Sequence, residues 1–252
     1  MTIRNILAIA AAAAATLISA PALADNIKTP GGNPCLKGNG NPCNGNNGNL
    51  GEQGNAGHER VRIDKKPPPV DLSMPAVSGR GAYIDQIGDG NVATISQTAA
   101  NAFAKVTQSG NRNEADISQR GTATAYATAS QTGEGNFARL AESGSGQNVV
   151  RLAQAGNGNW AWVDQNAAGA VHNAAQVTQN GDRNDLALFQ DGSDNRALLS
   201  QTGNDNGMTA TQSGDGNRLA WSQEGNGLTD LNILQEGGDA RGGQLLVTQT
   251  RP

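Results

Sequence analysis

Apolar and polar residues alternate along most of the chain after residue 80, in a pattern that repeats about every 11 residues. Each unit is closed by a Gln, with an apolar residue two positions before it and a mostly small apolar residue four positions before it. The residues between these positions are mostly polar, as in Glu114, Asp116 and Ser118. Positions two apart lie on one face of a β-strand, whereas a helix would scatter them around its axis. The pattern predicts a series of short strands, each with one inward face.

The closing position is regular over the whole array. Gln stands there at Gln86, Gln97, Gln108, Gln119, Gln131, Gln154, Gln165, Gln179, Gln190, Gln201, Gln212, Gln223, Gln235 and Gln249, with Glu142 filling the one gap in the series. Asn occurs six positions before the closing residue in ten of fourteen units, and Gly occurs two positions after it in twelve of fourteen. Gly at this place predicts a turn, where a positive φ or a close backbone approach is needed.

A single strand of this length cannot bury its inward face, so the units must pair and stack. Two units would form one strand-turn-strand layer, which we call a rung. Fourteen units give seven rungs and, at about 4.8 Å per rung, an array on the order of 34 Å long. We therefore predict an all-β fold, a β-solenoid of stacked strand-turn-strand repeats of the cross-β or amyloid type, with a disordered N-terminal head.

Stacking explains how Asn and Gln can share the inward face with apolar residues. Buried without a partner, each amide would cost roughly 1 to 3 kcal/mol, but identical amides in successive rungs can donate to one another in continuous ladders. The residues predicted to form this stacking ladder are Gln86, Asn91, Gln97, Gln108, Asn113, Gln119, Gln131, Asn136, Gln154, Asn159, Gln179, Asn184, Gln190, Asn195, Gln201, Asn206, Gln212 and Asn217. An alternative is that these amides lie on a solvated face.

Three departures from the repeat are visible. Glu142 interrupts the Gln series, and Trp221 is bulky for its column. Two 14-residue units predict bulges near residues 167–172 and 238–243.

The sequence before the repeats divides into two segments. Residues 1–24 have the features of a signal peptide, namely Arg4, an Ala-rich apolar run at 6–18 and Ala22-Leu23-Ala24 before Asp25. Residues 25–81 are rich in Gly, Asn and Pro without periodicity, which is typical of a disordered head and linker. The domains are therefore predicted as signal peptide 1–24, head 25–81 and repeat solenoid 82–252. Cys35 and Cys43, in the head of an exported chain, are candidates for a disulfide.

Composition and charge exclude several function classes. Only 36% of the 252 residues are hydrophobic and 3% aromatic, which is poor material for an ordinary globular core. The net charge of −4 is scattered singly along the chain and offers no basic stripe, so we expect no nucleic-acid partner. After residue 24 no segment is apolar enough to anchor the chain in a membrane.

No catalytic, metal-binding or cofactor-binding residues are predicted. His58 and His172 have no Ser or carboxylate partners that could be placed beside them, so we expect no enzyme and no cofactor. A monomeric secreted β-solenoid that binds calcium or a glycan is the alternative function. Gly88-Asp89-Gly90-Asn91 hints at calcium, but the period of 11 differs from that of calcium-binding nonapeptide repeats. Trp160 and Trp162, at outward positions, are candidates for a contact with a sugar ring or another fibril.

The units from Gln86 to Gln97 and from Gln108 to Gln119, which read Gln-x-Gly-x-x-Asn-x-Ala-x-Ile-Ser-Gln, resemble the curlin repeat. The resemblance covers roughly residues 82–249 and extends to the signal sequence and the Gly/Asn-rich head. It implies a subunit of curli-type amyloid fibres that crosses the periplasm, leaves through a dedicated outer-membrane secretion pore and polymerises with itself on the cell surface. It also implies a chaperone and a nucleator subunit as partners, and a role in adhesion and the biofilm matrix. More repeats than usual, a longer head and two cysteines distinguish this chain.

Overall fold

The computed structural model describes residues 59–65, 72–121, 124–237 and 242–251. These residues form strands and turns, and no helix occurs among them. Consequently, the described part of the chain has no helix that could span a membrane. The signal sequence, Cys35 and Cys43 lie outside the described residues.

The strands from β2 to β16 alternate between two sheets as the chain advances and pair in parallel within each sheet. The strands are β1 (Arg60–Asp64), β2 (Arg80–Ile87), β3 (Val92–Gln97), β4 (Asn101–Asn111), β5 (Glu114–Gln119), β6 (Thr124–Glu134), β7 (Phe137–Gly144), β8 (Asn148–Ala155), β9 (Trp160–Ala167), β10 (Asn173–Asn180), β11 (Asp185–Gly192), β12 (Arg196–Thr202), β13 (Gly207–Gly214), β14 (Arg218–Glu224), β15 (Ile233–Gly237) and β16 (Gln244–Thr250). The first sheet has the order β1-β16-β14-β12-β10-β8-β6-β4-β2, and the second has the order β15-β13-β11-β9-β7-β5-β3. The prediction of an all-β solenoid of about seven turns is confirmed.

The register keeps equivalent residues of the repeat in line. In the first sheet Val106, Ala129 and Leu152 are successive partners, as are Gln108, Gln131 and Gln154. A shift of one residue would move the apolar set to the opposite face, so the alternation itself fixes this register. Each column of the core is therefore built from the same position of the repeat.

The core lies between the two sheets and consists largely of small and aliphatic side chains. Ala104, Val106, Ile117 and Leu140 are fully buried there, and Trp221 is the largest buried side chain. The 3% aromatic content is sufficient because the two sheets are close enough for Ala and Val to fill the gap.

The structure has one repeat strand more than the fourteen units predicted. Arg80–Ile87 forms β2, which pairs in register with β4, so that eight repeat strands in the first sheet face seven in the second. The count of fourteen starts after Gln86, so it omits the strand that Gln86 itself closes, although Ala82 and Ile84 occupy the apolar positions of that unit.

Part of the segment preceding the repeats packs on the solenoid. β1 pairs antiparallel with β16, with Arg60 opposite Thr250 and Asp64 opposite Leu246. Residues 72–78, which we call the strap, run along the outer face of the first sheet. Leu72 of the strap is buried in a cluster with Val149 and other outward side chains, and its carbonyl oxygen lies 2.7 Å from Nε2 of His172.

The strap changes the environment of outward positions that the alternation predicts to be polar or solvent-exposed. Val149, Ala174 and Ala220 are buried although they lie on the outer face, in the cluster with Leu72. The residues at these three outward positions are therefore hydrophobic because they pack in a cluster with Leu72 of the strap.

Candidate functional site

Two columns of Gln side chains run through the core, continuous in the first sheet and interrupted at Glu142 in the second. In the first sheet, each Gln donates from Nε2 to Oε1 of the Gln in the next strand, at 2.6 to 3.0 Å. This column contains Gln86, Gln108, Gln131, Gln154, Gln179, Gln201, Gln223 and Gln249. The column in the second sheet contains Gln97, Gln119, Glu142, Gln165, Gln190, Gln212 and Gln235. Because every bond has the same direction, each column has an acceptor end at β2 or β3 and a donor end at β16 or β15.

The second proton on Nε2 links the two sheets. Gln108 in the first sheet donates to the carbonyl of Val92 in the second at 3.0 Å, and Gln119 in the second donates to the carbonyl of Phe103 in the first at 2.9 Å. Both N–H groups of a ladder Gln are thereby satisfied within the buried core, which removes most of the penalty for burying an amide.

Asn side chains form a separate set of columns at the turns. Asn113 Oδ1 accepts from the backbone N–H of Asn136 at 3.1 Å and from its Nδ2 at 3.0 Å, and the same pair of bonds joins Asn136 to Asn159. Asn113 Nδ2 also donates to the carbonyl of Gly133 in the next turn at 2.9 Å. Each Asn therefore fixes the start of one strand and the turn of the neighbouring rung.

The structure places all eighteen predicted ladder residues in these columns. Fifteen of them are buried, whereas Gln86, Asn91 and Gln97, in the first rung, are exposed or half-buried. The first rung has no strand on its outer side, since β2 and β3 are terminal in their sheets among the described residues.

Glu142 lies in the column of the second sheet at the place of a Gln. Gln119 Nε2 donates to its Oε2 at 2.7 Å, while Glu142 Oε1 and the neighbouring Gln165 Oε1 are both buried without a hydrogen-bond partner in the described part of the chain. Burial raises the pKa of Glu142 to about 8, and hydrogen bonds from Gln119 and the backbone of Tyr126 act in the opposite direction. A proton on Oε1 would give Gln165 the donor that it lacks, so the protonated carboxyl can replace the amide.

The stacked turns bring glycines into close backbone contact. Gly110 has a φ of 112°, and a Cβ atom added to it would lie 2.1 Å from the carbonyl oxygen of Gly133. No other residue type fits there without moving the turn. The recurring Gly therefore sets the close spacing of successive rungs.

The donor end of the first sheet's column is occupied by a carboxylate that the repeat pattern could not reveal. Gln249 Nε2 donates to Glu59 Oε1 at 2.7 Å, and Glu59 Oε2 lies 3.3 Å from Arg251 Nη2 and from the backbone nitrogen of Thr229. Glu59 lies just before β1 in a charged segment without periodicity, so nothing in the sequence singles it out.

Aromatic side chains form a cluster on the outer face of the second sheet. Phe137 stacks on Trp160 with ring centroids 5.9 Å apart, and Trp162 contacts both Trp160 and Phe189 edge to face. The guanidinium of Arg139 lies 5.3 Å from the centre of the Trp162 ring. All four rings are half-buried. Trp160 and Trp162 are thus part of one surface and are not isolated side chains.

Among the described residues, no group of three or more His, Cys, Asp or Glu side chains is placed to hold a metal ion. Asp89, in the segment that hinted at calcium, and Asp215, in the equivalent segment Gly214-Asp215-Gly216-Asn217, lie in turns. Asp215 Oδ1 accepts from the backbone N–H of Ser193 at 2.8 Å, which is a contact between rungs.

Comparison with known proteins identifies the repeat. The family described as the curlin associated repeat matches residues 81–110, 110–141, 173–203 and 181–214. These segments contain β2 to β6 and β10 to β13, with their Gln and Asn columns. No curated protein and no solved structure gave a match.

Proposed function

Because the chain belongs to the curlin family, whose members are structural proteins of surface fibres, we propose that it is a secreted subunit of curli-type amyloid fibres. In this proposal the chain polymerises by end-to-end stacking on the bacterial surface and supports adhesion and the biofilm matrix. The repeat solenoid of residues 82–252 is the polymerising domain. Residues 1–24 direct export and are removed, and residues 25–81 form the head, with a disulfide between Cys35 and Cys43 as a further candidate feature.

One observation carries the proposal, namely that the Gln column of the first sheet runs unbroken through all eight repeat strands, from the open edge at β2 to Gln249 in β16. At the first rung, Ile84 is 49% exposed, and Gln86 has no neighbour on its outer side among the described residues. Unpaired edges of identical strands favour head-to-tail growth that does not close. A matching copy would bury this apolar surface and extend each column without changing its register.

A secretion pore, a chaperone and a nucleator subunit are the partners we propose beyond the chain itself. We propose these partners because the chain has the curlin repeat. An in-register array with exposed edges would also stack prematurely inside the cell, which a chaperone would prevent.

The primary test is assembly of the purified chain from residue 25 to 252, diluted from denaturant at neutral pH. We expect thioflavin-T fluorescence to rise after a lag and the product to diffract at about 4.7 and 10 Å, the spacings of strands and sheets in cross-β fibres. A stable monomer with strand-rich circular dichroism would instead support a monomeric binding solenoid.

The aromatic cluster is the one observation that favours a binding role in addition to assembly. Trp160 and Trp162, with Phe137 and Phe189 beside them, present ring faces of the kind that sugars and other fibrils contact. We place an adhesive contact here, on the outer face of the second sheet, where it does not interfere with stacking.

A further inference from the structure

β1 occupies a strand edge that end-to-end stacking requires. β16 is the last repeat strand of the first sheet, and its outer edge is paired with β1. We infer that this edge receives β2 of a second copy of the chain, and that β1 with Glu59 closes it in the single molecule. The inference rests on the proposed function, because it identifies the two surfaces that meet in the fibre.

The ends of the Gln column are complementary. Gln249 Nε2, at the donor end, has no further Gln of the first sheet to donate to, and Gln86, at the other end, has an Oε1 that no preceding Gln reaches among the described residues. Continuing the register of β14 on β16 would place Gln86 of the second copy beside Gln249 and Ile84 beside Val247. Ile84, which is exposed at the first rung, would thus cover the core beside Val247 at the last rung.

Glu59 mimics the missing acceptor within one chain. A carboxylate accepts but does not donate, so Glu59 Oε1 at 2.7 Å satisfies Gln249 as the Oε1 of a stacked Gln would. Its other oxygen, Oε2, contacts Arg251, which follows β16, and the backbone nitrogen of Thr229, which precedes β15. The carboxylate is thereby held by the chain at the ends of both sheets. Glu59 is 16% exposed, so these contacts are largely shielded from water.

β1 covers the end without continuing the array. Val61 lies opposite Gln249 and Ile63 opposite Val247, so apolar side chains shield the core, and both Val247 and Gln249 are fully buried. The pairing is antiparallel and places no amide in the column. Arg60 and Arg62 are exposed on this edge strand, and charged residues of this kind discourage further strand addition. Growth therefore requires β1 to leave β16.

The test compares three variants of the chain from residue 25 to 252. Glu59→Ala removes the acceptor and the ion pair, whereas Glu114→Ala removes an exposed carboxylate from β5 and serves as the matched control. Arg62→Cys with Thr248→Cys joins directly opposed residues of β1 and β16 by a disulfide, in a background with Cys35→Ser and Cys43→Ser. Assembly is followed by thioflavin-T fluorescence, with and without wild-type fibre seeds.

We expect Glu59→Ala to elongate seeds about tenfold faster than wild type, since losing the charge-assisted bonds raises the open fraction by about that factor, equivalent to about 1.4 kcal/mol. Glu114→Ala should match wild type. The oxidised cross-linked chain should fail to elongate seeds, and reduction should restore elongation.

An oxidised cross-linked chain that elongates seeds as fast as its reduced form would overturn the inference, whatever the rate of Glu59→Ala. In that case fibres still form, and the proposed function stands. If wild type, Glu59→Ala and the reduced chain all remain monomeric, the proposed function fails and this inference fails with it.

Discussion

Each Gln of the two columns acts as acceptor and donor at once, so its stability depends on its neighbours one rung away. Gln131, for example, accepts from Gln108 and donates to Gln154. Removing one member leaves a buried donor and a buried acceptor unpaired, which costs more than the bond itself contributes. Glu142 is the position where this requirement acts on an ionisable group.

The free energy of unfolding should depend on pH through Glu142. Its pKa is about 8 in the folded chain and 4.5 without burial, so between these values the folded chain holds a proton that the unfolded chain has lost. Stability is therefore greatest below pH 4.5 as far as this group is concerned, falls as pH rises towards 8, and is level above it. Glu142→Gln should remove this dependence and be more stable at pH 9 by on the order of 3 kcal/mol.

Urea denaturation at pH 5, 7 and 9, at concentrations where the chain stays monomeric, measures this difference. Glu114→Gln, at an exposed position of β5, is the control and should follow wild type throughout. A constant difference between wild type and Glu142→Gln over the whole range would contradict the buried proton.

The sequence predicts which residues enter the columns but not the protonation of Glu142. Its position follows from the repeat, and on that basis it interrupts the series of amides. Only the structure shows that Gln165 Oε1, next in register, is buried without a donor. A protonated Glu142 therefore continues the column that its ionised form would break.

At the scale of the element, the strands follow from alternation and the turns from Gly. Alternation alone could not predict β1, because Arg60–Asp64 has no repeat partner and pairs only with a strand about 190 residues later. It also could not predict that Leu72 covers Ala174 and Ala220, since the strap carries no period. Both features depend on contacts across the solenoid and not on local pattern.

Two glycines differ both in stacking and in backbone conformation, since the φ of 65° at Gly135 lies in the left-handed region that other residues can adopt and the φ of 112° at Gly110 does not. Gly110 and Gly135 both have positive φ, but a Cβ on Gly110 would meet Gly133 at 2.1 Å, and one on Gly135 would meet nothing within 4 Å. We expect Gly135→Ala to lower the free energy of unfolding by about 1 kcal/mol. Gly110→Ala should lower it by on the order of 3 kcal/mol, because a turn must move as well.

Thermal and urea denaturation of the two variants provide the comparison. Equal losses would show that the turns yield easily and that Gly does not set the spacing of the rungs.

At the scale of the whole molecule, the surfaces that we propose for assembly and for adhesion are different. The columns end at the first and last rungs, whereas the aromatic cluster lies on the outer face in the middle of the second sheet. The fold class could be predicted because one pattern recurs in phase along the chain. The closed end could not, because it depends on a residue outside the repeats.

A double variant, Trp160→Ala with Trp162→Ala, should therefore polymerise with wild-type kinetics but adhere less to glycan-coated or cell surfaces. Both residues project outward, and neither belongs to an amide column. Adhesion is measured on preformed fibres of equal mass. Phe103→Ala, on the outer face of the other sheet, is a control for the loss of a stacked ring. Unchanged adhesion of the double variant would rule out this surface as the contact.

The contact between Glu59 and Gln249 joins residues 190 positions apart, whereas successive rungs are joined at separations of 22 to 26. Rungs can therefore form one after another from local encounters, but β1 has no partner until β16 exists. A chain shortened before residue 244 would lack this partner completely. β1 is therefore the first of the described strands to be synthesised and the last to pair. Once β1 has paired with β16, every repeat between them has been made and folded.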